Sequence, residues 1–406
     1  MDRSQAPPFG VGNHVAKRPG PAMVSPVMRN STAALLVATC LALVTGSFAS
    51  EHPTLALGAP APDFRLPGVD GKEYSLASFA DAKVLAVIFT CNHCPTAQAY
   101  EERIKQLVSE FTPRGVAFVA INPNHAPAVR LDEMGYTDLG DTFDEMKIRA
   151  AHRGFNLPYL DDGPDEKTAE AYGPVATPHV FIFDAQRHLR FQGRVDDSED
   201  PTGIKSRDTR AALEALLAGQ EPPVTHTKVF GCSVKWKEKT DGNTQWRAKV
   251  AKEPVALEVG NAAALQSLRA NTSGKVRMIN VWATSCGPCV AEFDDLIEMN
   301  LRFRHRDFEL VTVAAESPDA QPKVQAFLQK HLASTRNLIF GDADKYKMIE
   351  AVDPAWTGAL PYTLIVGPNG EVLYRETGTL DLIAARRAIV PALNAITPWP
   401  GLSGPG

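Results

Sequence analysis

Five cysteines beyond residue 50 are the side chains best suited to chemistry in this 406-residue chain. Four of them form two C-x-x-C pairs, Cys91/Cys94 and Cys286/Cys289, and the fifth is Cys232. Each pair follows an apolar run, Val84 to Phe89 and Val276 to Trp282. Each also precedes apolar residues at helical spacing: Ile104, Leu107, Val108 and Phe111 after the first, Phe293, Leu296, Ile297 and Leu301 after the second. A cysteine at a helix start meets unpaired N–H groups and the positive end of the helix dipole, which both favour thiolate. A second cysteine one turn on is placed to attack a mixed disulfide and release its product. A zinc site needs two further ligands, and neither pair has a second C-x-x-C or a histidine pair nearby. The spacing points to thiol–disulfide chemistry, with Cys91 and Cys286 attacking and Cys94 and Cys289 resolving. It implies no metal and no organic cofactor.

The elements that must hold these cysteines recur in the same order. After the first pair come a strand (Val116 to Ile121), a helix (Phe143 to His152), an extended piece (Leu157 to Leu160) and Thr177-Pro178. Strands His179 to Phe183 and Leu189 to Gln192 and a closing helix, Thr209 to Leu217, complete the set. After the second pair come Leu310 to Ala314, Val324 to His331, Leu338 to Phe340 and Leu360-Pro361. Then follow Tyr362 to Val366, a Pro368-Asn369-Gly370 turn, Val372 to Arg375 and a last helix, Ile383 to Ala395. Strands alternating with helices and ending in a hairpin predict an α/β fold: two tandem domains, each a central mixed sheet flanked by helices. The expected spans are 50–236 and 254–397. Lys237 to Glu253, polar and charged, reads as a linker or exposed hairpin, and 398–406 as a frayed tail.

Composition is that of a globular chain, with 44% hydrophobic and 22% charged residues. A net charge of −5 gives no basic footprint for nucleic acid. The apolar run Ala33 to Val44, preceded by Arg29 and followed by Ser47-Phe48-Ala49, is too short to span a bilayer, which takes ~20 residues. It has the pattern of a secretory signal, so residues 1–49 read as leader and signal peptide. The mature protein is then exported and periplasmic with no membrane span; an uncleaved signal would anchor it to the membrane instead.

Both halves resemble thioredoxin-fold proteins. The second half, with Trp282-Ala283-Thr284-Ser285-Cys286-Gly287-Pro288-Cys289, resembles TlpA/ResA-like thiol–disulfide oxidoreductases. The resemblance assigns Glu292 to an acidic residue near the cysteines and Pro361, after Leu360, to a cis-proline beside the substrate chain. The first half, with Ala59-Pro60-Ala61-Pro62-Asp63-Phe64, Thr90-Cys91-Asn92-His93-Cys94-Pro95 and Gly231-Cys232-Ser233-Val234-Lys235-Trp236, resembles the redoxin (AhpC/TSA, peroxiredoxin-related) branch. Thr177-Pro178 is its counterpart of Leu360-Pro361, so all four residues are expected to shape substrate grooves. The resemblance implies protein thiol or disulfide substrates and a membrane or exported protein as electron donor.

Peroxiredoxins carry a hydroxyl residue three positions before the reactive cysteine. Ile88 stands there for Cys91 and Cys91 for Cys94, so thiol–disulfide exchange is favoured over peroxide reduction, which stays as the alternative. His93 is placed to stabilise the neighbouring Cys91 thiolate, which would make the first couple the more oxidising and draw electrons from Cys286/Cys289 toward it. Cys232 reads either as a resolving or shuttle thiol or as an ordinary buried cysteine. Glu292 reads as a proton acceptor for Cys289 or as a solvated helical acid. A third reading, a copper(I) chaperone, would use Cys91, His93 and Cys94. Asp196, Asp197, Glu199 and Asp200 read as a solvated acidic loop, and Trp282 as core.

Overall fold

The computed structural model describes residues 52–399; the signal-peptide reading of 1–49 and the last residues of the expected tail lie outside them. The chain opens with a small antiparallel hairpin, β1 (Arg65–Pro67) and β2 (Glu73–Ser75). The first large sheet then forms from β3 (Val84–Phe89), β4 (Val116–Asn122), β5 (Tyr159–Asp161), β7 (His179–Phe183) and β8 (Leu189–Gly193), in the order β5-β4-β3-β7-β8. Its helices are α1 (Pro95–Phe111), α2 (Phe143–Arg153), α3 (Lys167–Tyr172) and α4 (Asp208–Leu217). A short pair, β6 (Ala176–Thr177) and β9 (Cys232–Ser233), lies apart from that sheet.

The second sheet has the order β10-β13-β12-β11-β14-β15, from β10 (Glu258–Gly260), β11 (Val276–Trp282), β12 (Phe308–Ala314), β13 (Arg336–Phe340), β14 (Tyr362–Val366) and β15 (Val372–Thr377). Apart from the extra edge strand β10 it repeats the first, strand for strand and direction for direction. Its helices are α6 (Ala262–Ala270), α7 (Gly287–Phe303), α8 (Gln321–Lys330), α9 (Lys345–Val352) and α10 (Leu382–Ile396). The α/β reading with two mixed sheets holds.

Alternation along a strand sends side chains to opposite faces, so a central strand buried on both sides is apolar throughout. In β3, Leu85, Val87 and Phe89 enter one core with Phe181 and Tyr172, while Val84, Ala86 and Ile88 enter another under α1 and α4. In β11 two polar residues break the run: Arg277, which donates to Glu309, and Asn280, which is fully buried and donates to Thr363 Oγ1 at 3.0 Å.

The halves are not beads on a string. Val129, Leu131 and Met134, from the loop after β4, pack into the same core as Trp282, Phe293 and Leu296 of the second half. Around them Arg302 donates to Thr137 O, Arg306 to Gly135 O and Arg387 to Asp138 Oδ2. The expected linker 237–253 is for the most part a 3-10 turn, Lys237–Lys239, and α5 (Thr240–Val250). Its Asn243 donates to Pro127 O and its Val250 enters the shared core. This corrects the hairpin reading: a charged segment becomes helical once a few side chains find a surface to pack on. Trp399, at the start of the expected tail, likewise packs edge-on against Tyr136. The acidic loop is not fully solvated either, since Asp196 is buried and receives two bonds from Arg103 Nη1.

Phe181 is fully buried and meets Phe89 and Tyr172 edge-on. Phe181→Ala is therefore expected to cost about 3–5 kcal/mol, read as a lowered urea midpoint of the first-half unfolding transition.

Candidate functional site

The two cysteine sites can be aligned residue by residue through the strand registers. Phe89 pairs with His179, the residue after Pro178, and Val281 pairs with Tyr362, the residue after Pro361. Both prolines follow cis peptide bonds. Five residues beyond Phe89 is Cys94; five residues beyond Val281 is Cys286. Each of these cysteines is the N-cap of the following helix. Cys94 Sγ accepts from Ala97 N at 3.4 Å, and Cys286 Sγ accepts from Cys289 N at 3.3 Å. Sulfur thus takes the place of the usual capping oxygen and satisfies an otherwise orphaned N–H.

This corrects the assignment of Cys91 as the thiol at the helix start. Cys94 holds that position, Cys91 lies three residues upstream at the place of Ala283, and Ala97 stands where the second half has Cys289. The signal was present in the sequence: Pro95 is suited to the first helical position, which puts the cap on the residue before it.

The second centre is open. Cys286 is half-buried between exposed Ser285 and Gly287, and Cys289 is buried and disulfide-bonded to it. Glu292, one turn past Cys289, is buried; its Oε2 accepts from Leu380 N at 2.9 Å and its Oε1 from Asn280 Nδ2 at 3.4 Å. Burial pushes its carboxyl above the ordinary value, although both bonds oppose that. Glu292 is therefore a buried acid rather than a solvated one. Leu360 is half-buried beside Pro361, and the neighbouring Ala359 is exposed.

The first centre is closed. Cys91 is 3% exposed and Cys94 0%. Cys91 Sγ shares a hydrogen bond with Thr177 Oγ1 at 3.2 Å, and Cys94, as a thiol, donates to Thr177 O at 3.3 Å. Thr177 pairs with Cys232 in the β6–β9 ladder, and Cys232 N donates to Cys94 Sγ at 3.4 Å. Cys91, Cys94, Cys232, Thr177 and Pro178 are thus one cluster. Thr177 and Pro178 do not line an open groove as expected: both are buried, and the edge before the proline is taken by this chain's own β9.

The residue that sequence reasoning missed is Asp141. Its Oδ1 accepts from Asn92 N at 2.9 Å and His93 N at 3.0 Å. Its Oδ2 accepts from Asn124 Nδ2 at 2.8 Å and pairs with His93 Nδ1 at 2.5 Å. Nothing in local spacing marks an acid 48 residues from its histidine. Burial opposes both charges, but the pair overrides it: Asp141 is held below the ordinary carboxylate value and His93 above that of histidine. Burial also pushes the Cys94 thiol up, yet hydrogen bonds from Cys232 and Cys91, the charge of His93 and the Ala97 N–H together hold it well below its ordinary value. Cys91 is raised by burial and by Cys94; Cys232 is raised by its hydrogen bond to Cys94 and by burial. The charge of His93 thus helps hold down the Cys94 thiol, its neighbour at the helix start.

Among the described residues, Cys91, His93 and Asp141 are the one group whose ligand atoms lie within 4.8 Å of one another, as a metal site would need. Both Asp141 oxygens are already engaged by four donors, an arrangement suited to anchoring a histidine cation. No described helix is long and apolar enough to cross a membrane.

The sequence profile of the AhpC/TSA family matches residues 57–192 and 253–375, more than half of the chain and one match in each half. The chain belongs to the AhpC/TSA family. Among curated relatives, this AhpC/TSA chain is 29% identical to the thiol-disulfide oxidoreductase ResA of Oceanobacillus iheyensis, over 27% of its own length and 53% of the relative's. It is 24% identical to that of Geobacillus thermodenitrificans, over 39% of its length and 80% of the relative's. The chain thus spans about half the length of the first of these relatives. Among solved structures, a hypothetical protein of Sinorhizobium meliloti is 33% identical, with 45% of this chain and 96% of that one covered and a TM-score of 0.41.

The ion pair makes a checkable prediction. Asp141→Asn removes the charge that favours the protonated form of His93, and so raises the Cys94 pKa. The expected outcome is a fall of the thiolate absorbance near neutral pH and a shift of Cys94 alkylation to higher pH. In the unaltered protein, with folded His93 raised above ~6.5, the stability from His93⁺ is full below that value and lost as pH rises through the folded pKa. The stability from the Asp141 carboxylate is present above ~3.9 and lost as pH falls through its depressed folded pKa.

Proposed function

We propose that the chain is an exported thiol–disulfide oxidoreductase with two redox centres of different design. The observation that carries this reading is the shared register of Cys94 and Cys286, each capping a helix beside a cis-proline with a sulfur that accepts the N–H three residues on. At the open centre, Cys286 thiolate attacks a partner disulfide and one partner sulfur leaves as thiolate. Cys289 gives its proton to Glu292 and attacks Cys286 Sγ, which forms the Cys286–Cys289 disulfide and frees the second partner sulfur. Two electrons pass to the partner. Leu360 and Pro361 form the edge along which a protein substrate lies, and reducing equivalents return from another exported or membrane protein. No organic cofactor takes part.

The first centre is read as the electron acceptor. A stabilised Cys94 thiolate stabilises the reduced form and makes the couple more oxidising. Electrons then run from Cys286/Cys289 toward the Cys94 centre. Export rests on the leader at 1–49. The burial of Cys91 and Cys94 favours a second reading, in which the first centre reduces a small oxidant such as peroxide instead of a protein disulfide.

Reduction potentials of the two centres test the main reading, measured by thiol trapping and mass spectrometry on the full chain. The Cys286→Ser/Cys289→Ser and Cys91→Ser/Cys94→Ser variants keep the couples apart. The first couple is expected above the second by at least ~30 mV, a tenfold equilibrium bias for two electrons. Coincident or inverted couples would end the proposed direction; two centres that never form disulfides would end the function.

A further inference from the structure

Cys91 and Cys94 are both sealed from solvent. A disulfide between them would offer no sulfur to an attacking protein thiolate, because exchange needs approach to one sulfur of the bond. Cys232 is the exception in the cluster. It is partly exposed, with exposed neighbours Gly231 and Ser233. Its backbone N–H reaches Cys94 Sγ at 3.4 Å, and Cys232 packs against the buried Cys91 and Cys94.

The placement of Cys232 is built, not incidental. Its two-residue strand pairs with Ala176–Thr177 alone, directly before cis-Pro178. Gly231 precedes it at φ +142°, so close to Thr177 that an added Cβ would stand 2.1 Å from the Thr177 carbonyl oxygen. Glycine is what allows the segment to lie there. In the second half the corresponding edge, before Pro361, is left with an exposed Ala359 and a half-buried Leu360. One half thus presents an open edge, while the other covers the same edge with a cysteine-bearing strand of its own.

Resting on the reading of the first centre as a thiol–disulfide couple, we propose that this couple is Cys94–Cys232. Cys232 is the port through which a protein dithiol delivers electrons, and Cys91 is a hydrogen-bonding neighbour, not the disulfide partner. In the reducing direction, a donor thiolate attacks Cys232 Sγ, the Cys94–Cys232 bond breaks, and its electron pair stays on Cys94 as thiolate. The donor's second thiolate attacks the donor sulfur of the mixed disulfide. Cys232 then leaves and takes a proton, and the donor departs as a disulfide. The low thiol pKa of Cys94 makes it the better leaving group, so attack at the accessible sulfur is also attack on the correct side of the bond.

The test is disulfide mapping of the full chain carrying Cys286→Ser/Cys289→Ser, oxidised with glutathione disulfide, alkylated and digested with trypsin. Cys91 and Cys94 fall in one tryptic peptide, 84–103, and Cys232 in another, 229–235. The proposal expects the two peptides cross-linked, and the same cross-link when Cys91→Ser is added. With Cys232→Ser instead, reduction of any remaining Cys91–Cys94 bond by a reduced protein dithiol is expected to slow at least about tenfold. The probe for that step is the chain's own Cys286/Cys289 centre on a Cys91→Ser/Cys94→Ser/Cys232→Ser variant. A disulfide confined to peptide 84–103, or loss of the cross-link with Cys91→Ser, overturns the Cys94–Cys232 couple and leaves the broader function standing. No disulfide at this centre in any variant overturns both.

Discussion

The helix N-terminus is the constraint on which both centres depend. Its first N–H groups have no partner within the helix, and in both halves a cysteine sulfur supplies one. Everything else in the two sheets serves to repeat that arrangement: a central strand buried on both faces ends, the chain turns, and a helix begins beside the antiparallel strand that follows a cis-proline. The geometry is common, yet the surroundings of the sulfur differ. Cys286 sits at an open edge above a buried Glu292, whereas Cys94 is enclosed by two other thiols and a His93–Asp141 pair.

That difference follows from which residues occupy equivalent places. Where the second half has Asn280, Glu292 and Thr363 inside, the first has Ile88, Tyr100 and Val180. Ile88 and Val180 cannot exchange a proton with the cysteines, and the Tyr100 hydroxyl is turned to Asp196 O; the first centre gains its charges elsewhere. Asp141 reaches it on the loop between β4 and α2, with four donors fixed on its two oxygens. The same loop carries Val129, Leu131 and Met134 into the core of the second half and offers Gly135, Thr137 and Asp138 to its arginines. One segment therefore holds the histidine of the first centre and joins the two halves.

Much of this was legible in the residues. Apolar runs followed by C-x-x-C and by helical spacing located both sheets and both sites, because strand and helix periodicities are local properties of the chain. Thr177-Pro178 and Leu360-Pro361 could be matched by their place before a buried strand. The offset of the first C-x-x-C was legible as well, in Pro95, but the two cysteine pairs invited alignment with each other. Segment 237–253 could not be read as helix, since its few apolar residues, Trp246 and Val250 among them, gain a helical face only against the shared core.

The sequence by itself determined that there are two strand–cysteine–helix units and that thiols carry the chemistry. Those facts rest on side-chain order and spacing within a few turns. Only the tertiary structure decided which thiol caps the helix in the first unit and what surrounds it. Asp141 and Cys232 are distant in the chain from Cys94, and their approach depends on sheet packing and on a glycine that lets two backbones touch. A thiol's acidity and accessibility are set by what lies within a few ångströms in space, and the fold alone supplies those neighbours.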